Sequence, residues 1–416
     1  MGWDSRRLER LLFVSSPKLD MPHAVNAEVA AQYSYDKAFA QADRALAAVF
    51  APIQPLDTPV EELYRQVMVL SADDQLRRAA QDELLASPQF IQYLVDSSHT
   101  VRYQDTERML HLANLAIVAA DACSANAAGG ELRLADLRAR AWGYYGNSLR
   151  VCARLREAEE AFARAVQECR QGTGDPLLRA RLLAQKASLQ IHQRQFENAI
   201  ESAEASCQIY RELGDSHLLA TSIILKANAN LFLGETEAAV ELLNRAIPLI
   251  DCESDPHLLL AACHNLVRCY IDLAQPEQAL SIYAETQDLY REFGDPLILL
   301  RAEWQEGQLL RDMGHLRKAE TRLLEAQKGF LERSLTYEAA VVSLDLAALY
   351  LKTGSIQDLR QTAAAAVPIF RALGVDREAI ASLLQLQVAD QEQQAMELIR
   401  FLNARIEPLA KRGLLK

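Results

Sequence analysis

The sequence predicts an all-α chain built as a stack of helix pairs, and three observations predict it. First, a unit of about forty residues recurs: Gly174, Gly214, Ser254, Gly294, Ser334 and Gly374 are evenly spaced, and Asp175, Asp215, Asp255 and Asp295 follow the first four. Second, small residues recur at fixed places within that unit. Third, half of the residues are apolar while only 6% are aromatic, a composition suited to helices that pack closely and poor in strand formers. A solenoid also evades the usual size limit of a single core, because each repeat packs only on its neighbours.

Taken in order, residues 1–24 contain Pro17 and Pro22 and read as an irregular arm. Residues 25–130 read as an N-terminal helical region. Apolar residues at helical spacing run from Val25 to Phe50, and three prolines within Ala51–Pro59 end that helix. Pro59–Leu70 follows with Thr58 as its expected cap, and Ser71 opens a helix whose first turn carries Asp73 and Asp74. Ser87-Pro88 begins another helix and Asp105–Cys123 spans a longer one; these two resemble a degenerate repeat. Ser124–Gly130, SANAAGG, reads as a flexible break before the regular array of residues 131–376. Residues 377–416 keep a helical pattern but lose the small-residue markers, as expected of a capping helix pair.

Inside the array the register is strict. A small residue stands midway along each first helix, at Gly146, Ala187, Ala227, Val267 (an enlarged exception), Gly307 and Ala347. Early in each second helix come Ala158, Ala199, Ala239, Ala279, Ala319 and Leu359, and seven residues later Ala165, Ser206, Ala246, Thr286, Ala326 and Ala366. Gly234, Gly314 and Gly354 occupy the turn between helices, where a left-handed cap favours glycine. Small side chains at these points let paired helices approach.

This set of markers, with Trp142 in RAWGYYGN and the aromatic in EAEEAFARA, resembles the tetratricopeptide repeat family over about Leu132–Asp376. The period exceeds the family's usual 34, as in repeat domains of bacterial signal-transduction proteins. The resemblance implies a right-handed α-α superhelix of six regular helix pairs, whose first helices line a binding groove.

Composition and motifs narrow the function. A net charge of −12 and a pI near 5.3 argue against a general nucleic-acid binder, and the acidic run LSADDQLRRAAQD suits no phosphate backbone. No apolar run is long enough for a signal peptide or a membrane span, so a cytoplasmic chain is expected. Seven cysteines scattered through helical patterns suit reduced thiols rather than a disulfide framework. HExxH, GxSxG, GxGxxG and Walker-type motifs are all absent, and the expectation is a non-enzymatic protein without cofactor. Cys252, His257, Cys263, His264 and Cys269 cluster in sequence but lack the paired spacing of structural zinc, so no metal is expected. Recurrent glutamates on the second helices read as a solvated outer face.

The resemblance implies that positions 2, 5, 9, 12 and 13 of each first helix meet the ligand, with the small marker as position 8. These places hold six arginines and Lys352 against Asp272 and Asp312, whereas random placement would give roughly three basic and four acidic residues. The candidate contacts are Arg140, Asn147, Arg181, Asn228, His264, Arg268, Arg301, Trp304, Gln308 and Arg311. Arginine forks suit carboxylates, and asparagines can hold an extended peptide backbone. The implied function is a protein- or peptide-binding adaptor or sensor favouring an acidic segment or carboxylate. The alternative is a ligand-switched regulator that controls an enzyme or transcription factor through its N-terminal helices. Groove arginines can equally solubilise the wall or pack against the N-terminal helices, and Trp304 can serve as core. Homo-oligomerisation is left open.

Overall fold

The computed structural model describes residues 58–372 except Gln104. The arm at 1–24, the helix expected at 25–50 and the capping pair expected at 377–416 lie outside the described residues. Among those described there are eighteen α-helices and no strand. They form two compact units, residues 58–192 with 197–215, and residues 193–196 with 216–372.

The first unit begins with α1 (Val60–Met68) and α2 (Ala72–Gln81). Pro59, not Thr58, occupies the cap of α1, without a side-chain hydrogen bond. Ser71 does cap α2 by accepting from the Asp74 N–H. α3 (Pro88–Thr100) and α4 (Thr106–Ala122) form a hairpin capped by Ser87 and Asp105. Ser124–Gly130 is not a loose break. Ser124 caps a single helical turn, α5 (Ala125–Ala128), which ends at Gly129 in the left-handed region and buries Ala128. α6 (Glu131–Val151) then packs its Leu134 and Ala141 into one core with Phe90, Ile91, Leu94, Leu112 and Leu115 of the preceding hairpin. The regular array and the degenerate repeat therefore share a hydrophobic core. α7 (Leu155–Gln171), α8 (Pro176–His192) and α9 (Phe196–Leu213) complete the unit.

The second unit holds four further pairs. α10 (Ser216–Leu233) precedes α11 (Thr236–Ala246), and α12 (Pro256–Asp272) precedes a second helix split into α13 (Pro276–Glu285) and α14 (Gln287–Phe293). α15 (Pro296–Asp312) pairs with α16 (Leu316–Glu332), and α17 (Thr336–Thr353) with α18 (Ile356–Ala372). Pro248 shortens α11, and a 3₁₀ turn over Ile247–Leu249 follows it. Asp-Pro opens both α12 and α15. The aspartate side chains accept from N–H groups of the first turn, and proline sits where no donor is needed. The recurrent Gly-Asp-Pro thus starts a helix as much as it stops one.

Every small marker is buried, from Gly146 and Ala158 through Ala347 and Ala366. A Cβ on Gly307 would lie 2.8 Å from the Leu323 side chain, so the approach of α15 to α16 needs glycine there. The turns at Ala153, Gly234, Ala274, Gly314 and Gly354 share one hydrogen-bond pattern. In the α15–α16 turn the Gly314 N–H donates to the Arg311 carbonyl and the His315 N–H to the Leu310 carbonyl, the Schellman arrangement. Gly234, Gly314 and Gly354 have φ of 87°, 81° and 72°. The equivalent turns elsewhere hold Ala153, Arg194 and Ala274 at φ 59°, 65° and 54°, which nothing but their place in the period marks.

Candidate functional site

At about 100° per residue, positions 2, 9 and 13 of a first helix fall within a narrow stripe, while positions 5 and 12 lie roughly 60–80° round toward the neighbouring helix. Exposure follows this geometry. Positions 2 and 9 are half-exposed in every repeat: Arg140 and Asn147, Arg181 and Ser188, Thr221 and Asn228, Ala261 and Arg268, Arg301 and Gln308, Val341 and Ala348. Position 5 is buried at Gly143, Ala184, Ile224, His264 and Leu344, and half-buried only at Trp304. A first helix thus offers positions 2 and 9, with position 13 exposed at His192, Asp272, Asp312 and Lys352, while position 5 is turned into the stack.

In the first unit Arg140 is engaged with the N-terminal hairpin and Asn147 with Arg150 of its own helix. Arg140 donates to the Gln92 side chain of α3 at 2.7 Å. Asn147 accepts from Nε and Nη2 of Arg150 at 3.0 and 2.9 Å, and Arg150 also meets the His192 ring at 3.3 Å. Arg181 stands half-buried on α8, its charge working against the burial that pushes the Tyr210 phenol upward.

In the second unit the candidates divide into two groups. His264, Trp304, Gln308 and Arg311 are built into internal networks. His264 is 8% exposed; one ring nitrogen faces the Tyr290 hydroxyl at 2.8 Å, and the Gln305 amide donates to its carbonyl at 3.1 Å. Burial, reinforced by the charges of Arg301 and Arg268, pushes its pKa down to about 3, so the ring is neutral. Position 5 explains why His264 lies inside the stack rather than on the exposed stripe. Trp304, Gln308 and Arg311 converge on one carboxylate, Asp345 of α17. The indole N–H and the Gln308 amide donate to Oδ2 at 2.7 and 2.9 Å, and Arg311 donates to Oδ1 at 2.5 Å. Burial alone would lower the Arg311 pKa, but the charges of Asp345 and Asp312 outweigh it and hold the guanidinium protonated. Trp304 also sets its ring edge-on to Phe330, at 6.0 Å between centroids.

Asn228, Arg268 and Arg301 form the second group, on the half-exposed stripe. Asn228 accepts from the Asn265 amide at 2.8 Å, which ties α10 to α12. The Arg268 side chain is 41% exposed with Nε 3.7 Å from Asp272, and that of Arg301 is 42% exposed with Nη2 3.8 Å from Glu338. Neither distance is a hydrogen bond. These two guanidiniums therefore retain donors that could take a carboxylate.

Asp345 escaped the groove reading because it stands at position 6, outside the contact positions. A signal for it existed: a lone acid within the apolar run VVSLDLAALYL implies a buried partner. No disulfide joins any of the seven cysteines. Among the described residues no group of three or more His, Cys, Asp and Glu could hold a metal ion, and no helix is long and apolar enough to cross a membrane.

No family model matches the chain, and no curated protein matches it by sequence. Among solved structures it is similar to a Rap protein complexed with Competence and Sporulation Factor, at 14% identity and a TM-score of 0.54, covering 85% of this chain and 98% of that one. It is also similar to the apo form of RapI, at 14% identity and a TM-score of 0.50, covering 68% of this chain and 97% of that one. At this identity the likeness is one of fold: the chain is an all-α, tetratricopeptide-like helical-repeat protein.

Proposed function

We propose that this protein is a non-enzymatic adaptor or sensor that binds an acidic protein or peptide segment along the first-helix stripe of its second unit. The observation that carries the reading is the pair Arg268 and Arg301. They sit on consecutive first helices, half-exposed, with their nearest carboxylates beyond hydrogen-bonding distance. Guanidiniums in that state retain the fork that matches a carboxylate. A preorganised helical wall also loses little freedom when an extended segment docks on it. The fold-level neighbour complexed with Competence and Sporulation Factor supports a ligand-binding role for this kind of repeat array. Bacterial signalling and a cytoplasmic setting are the context in which this reading belongs.

The test uses a fluorescein-labelled decapeptide of alternating Glu and Ala and its Gln/Ala counterpart, followed by anisotropy. The acidic peptide is expected to bind wild type, to weaken with added salt, and to be lost from the double variant Arg268→Glu, Arg301→Glu. Circular dichroism and melting temperature should be unchanged, since exposed charges add little stability. Equal binding by wild type and the double variant sinks the proposal.

A further inference from the structure

We propose that a cleft on the first unit, between the start of α4 and the end of α6, binds a small alkylammonium ion with Glu107 as its counter-ion. The cleft has a volume of about 540 Å³, within the range of small-molecule sites. One wall is a single face of α4, since Leu110, His111 and Asn114 stand three, four and seven residues beyond Glu107. The other is formed by Tyr145 of α6 and, two turns further on, Cys152 at the end of that helix. The Cys152 thiol donates to the Thr106 carbonyl at 3.6 Å and joins the two walls at one end. Neither Tyr145 nor Cys152 falls on the first-helix stripe, so the site is independent of the groove.

The charges at this cleft select a cation. Glu107 is exposed, and among the described residues no hydrogen bond or ion pair engages its carboxylate. The Arg154 guanidinium also lines the cleft, but both oxygens of Glu157 already hold it. His111 is neutral, because burial pushes its pKa below the ordinary value. The Gln75 amide donates to the Leu70 carbonyl at 2.9 Å, which turns its oxygen toward the His111 ring, 2.6 Å from Nε2. Nε2 therefore carries the proton, and Nδ1 is left as an acceptor. The Asn114 side chain and the Tyr145 hydroxyl have no hydrogen-bond partner among the described residues and add further acceptors. An ammonium group brings three donors to such a set. The C-terminal, negative end of α6 also lies at the cleft and favours a cation. The N-terminus of α4 would favour an anion, but Asp105 caps it by accepting from the Arg108 N–H at 2.8 Å. An anion would besides meet the bare Glu107 carboxylate. Leu110 and Tyr145, half-buried against the core, supply the apolar surface that an alkyl stem covers.

The test titrates n-pentylamine against the full chain by saturation-transfer NMR, with n-pentanol and pentanoate as the neutral and anionic controls. Alkylation by iodoacetamide, read by mass spectrometry, reports on the place of binding. Pentylamine is expected to bind more tightly than either control and to slow alkylation of Cys152. The exposed Cys252 of the second unit should react at an unchanged rate. Glu107→Gln is expected to weaken pentylamine by about tenfold, as loss of a charge-assisted contact requires, and to leave pentanol unaffected. The substitution is isosteric and lies on an exposed side chain, so circular dichroism should match wild type. The assignment is overturned if pentylamine does not bind, if pentanol or pentanoate binds as tightly, or if Glu107→Gln keeps wild-type affinity. Binding that leaves Cys152 unprotected overturns it as well, because the amine then sits elsewhere.

Discussion

Replacing Asp345 by alanine removes the acceptor shared by Trp304, Gln308 and Arg311. The Asp345 and Arg311 side chains are each 13% exposed, so the interaction lies largely out of water. Breaking a buried ion pair from one side costs about 3–5 kcal/mol when nothing else compensates. Here Asp312 remains at 2.9 Å from Arg311, which brings the electrostatic part to roughly 2 kcal/mol. The indole N–H and the Gln308 amide lose an acceptor as well, adding about 1 kcal/mol where water does not reach them. The expected loss is therefore about 3 kcal/mol. Urea denaturation followed by circular dichroism measures it, with wild-type and variant slopes compared because a repeat chain of two units need not unfold in one step. Native-state hydrogen exchange should place the loss in α15 and α17. The double variant Arg311→Met, Asp345→Leu should be milder than Asp345→Ala, since it leaves no buried charge unpaired. A loss below about 0.5 kcal/mol, or a double variant worse than the single, would refute this account of the network.

Three further outcomes are expected. His264 has its folded-state pKa depressed to about 3 by burial, against about 6.5 unfolded. The unfolded chain therefore binds the extra proton first as pH falls, and stability present above pH 6.5 is lost toward pH 3. At pH 4.5 the difference is roughly 2–3 kcal/mol, and His264→Gln should flatten that part of the pH–stability curve; an unchanged slope would contradict the buried neutral ring. Ala274→Gly should raise stability by about 0.5–1 kcal/mol, because relief of the left-handed penalty exceeds glycine's entropic cost, and a lowered urea midpoint would count against it. Ala239→Arg or Ala279→Arg, each at a fully buried marker, should cost several kcal/mol through overpacking and a buried charge; wild-type melting in both would undo the repeat register.

The fold was legible because its determinants are periodic and small. Ala199, Ala239 and Ala319 are fully buried for the reason their spacing suggested, since a larger side chain there would hold the paired helices apart. The caps were legible where a short polar side chain preceded the helix, as at Ser71, Ser87 and Asp105. Turn chemistry was legible only where glycine marked it. Ala153 and Ala274 adopt the same left-handed conformation as Gly234, imposed by the shared Schellman turn rather than by residue preference. SANAAGG misled because small residues suit a capped helical turn as well as a linker, and burial of Ala128 against the neighbouring core decides for the turn.

The candidate site was legible to the level of the stripe and no further. Periodicity locates which side chains share a face, but not whether a neighbouring helix has already supplied their partner. Trp304, Gln308 and Arg311 illustrate this: their donors converge on Asp345, so the features that made them attractive contacts also make them a joint between α15 and α17. Arg268 and Arg301 carry the same side-chain chemistry on the same kind of helix, yet their nearest acids stand at 3.7 and 3.8 Å. The difference lies in what the next helix offers. Asp345 of α17 reaches into the Trp304–Arg311 cluster, whereas across from Arg268 the side chain within reach is the Phe232 ring, an attractor for the cation that accepts no N–H in the guanidinium plane. Arg268 beside that ring and Arg301 on the next first helix therefore keep donors for a ligand. That is why substitutions at Asp345 should be read in stability and substitutions at Arg268 and Arg301 in peptide affinity.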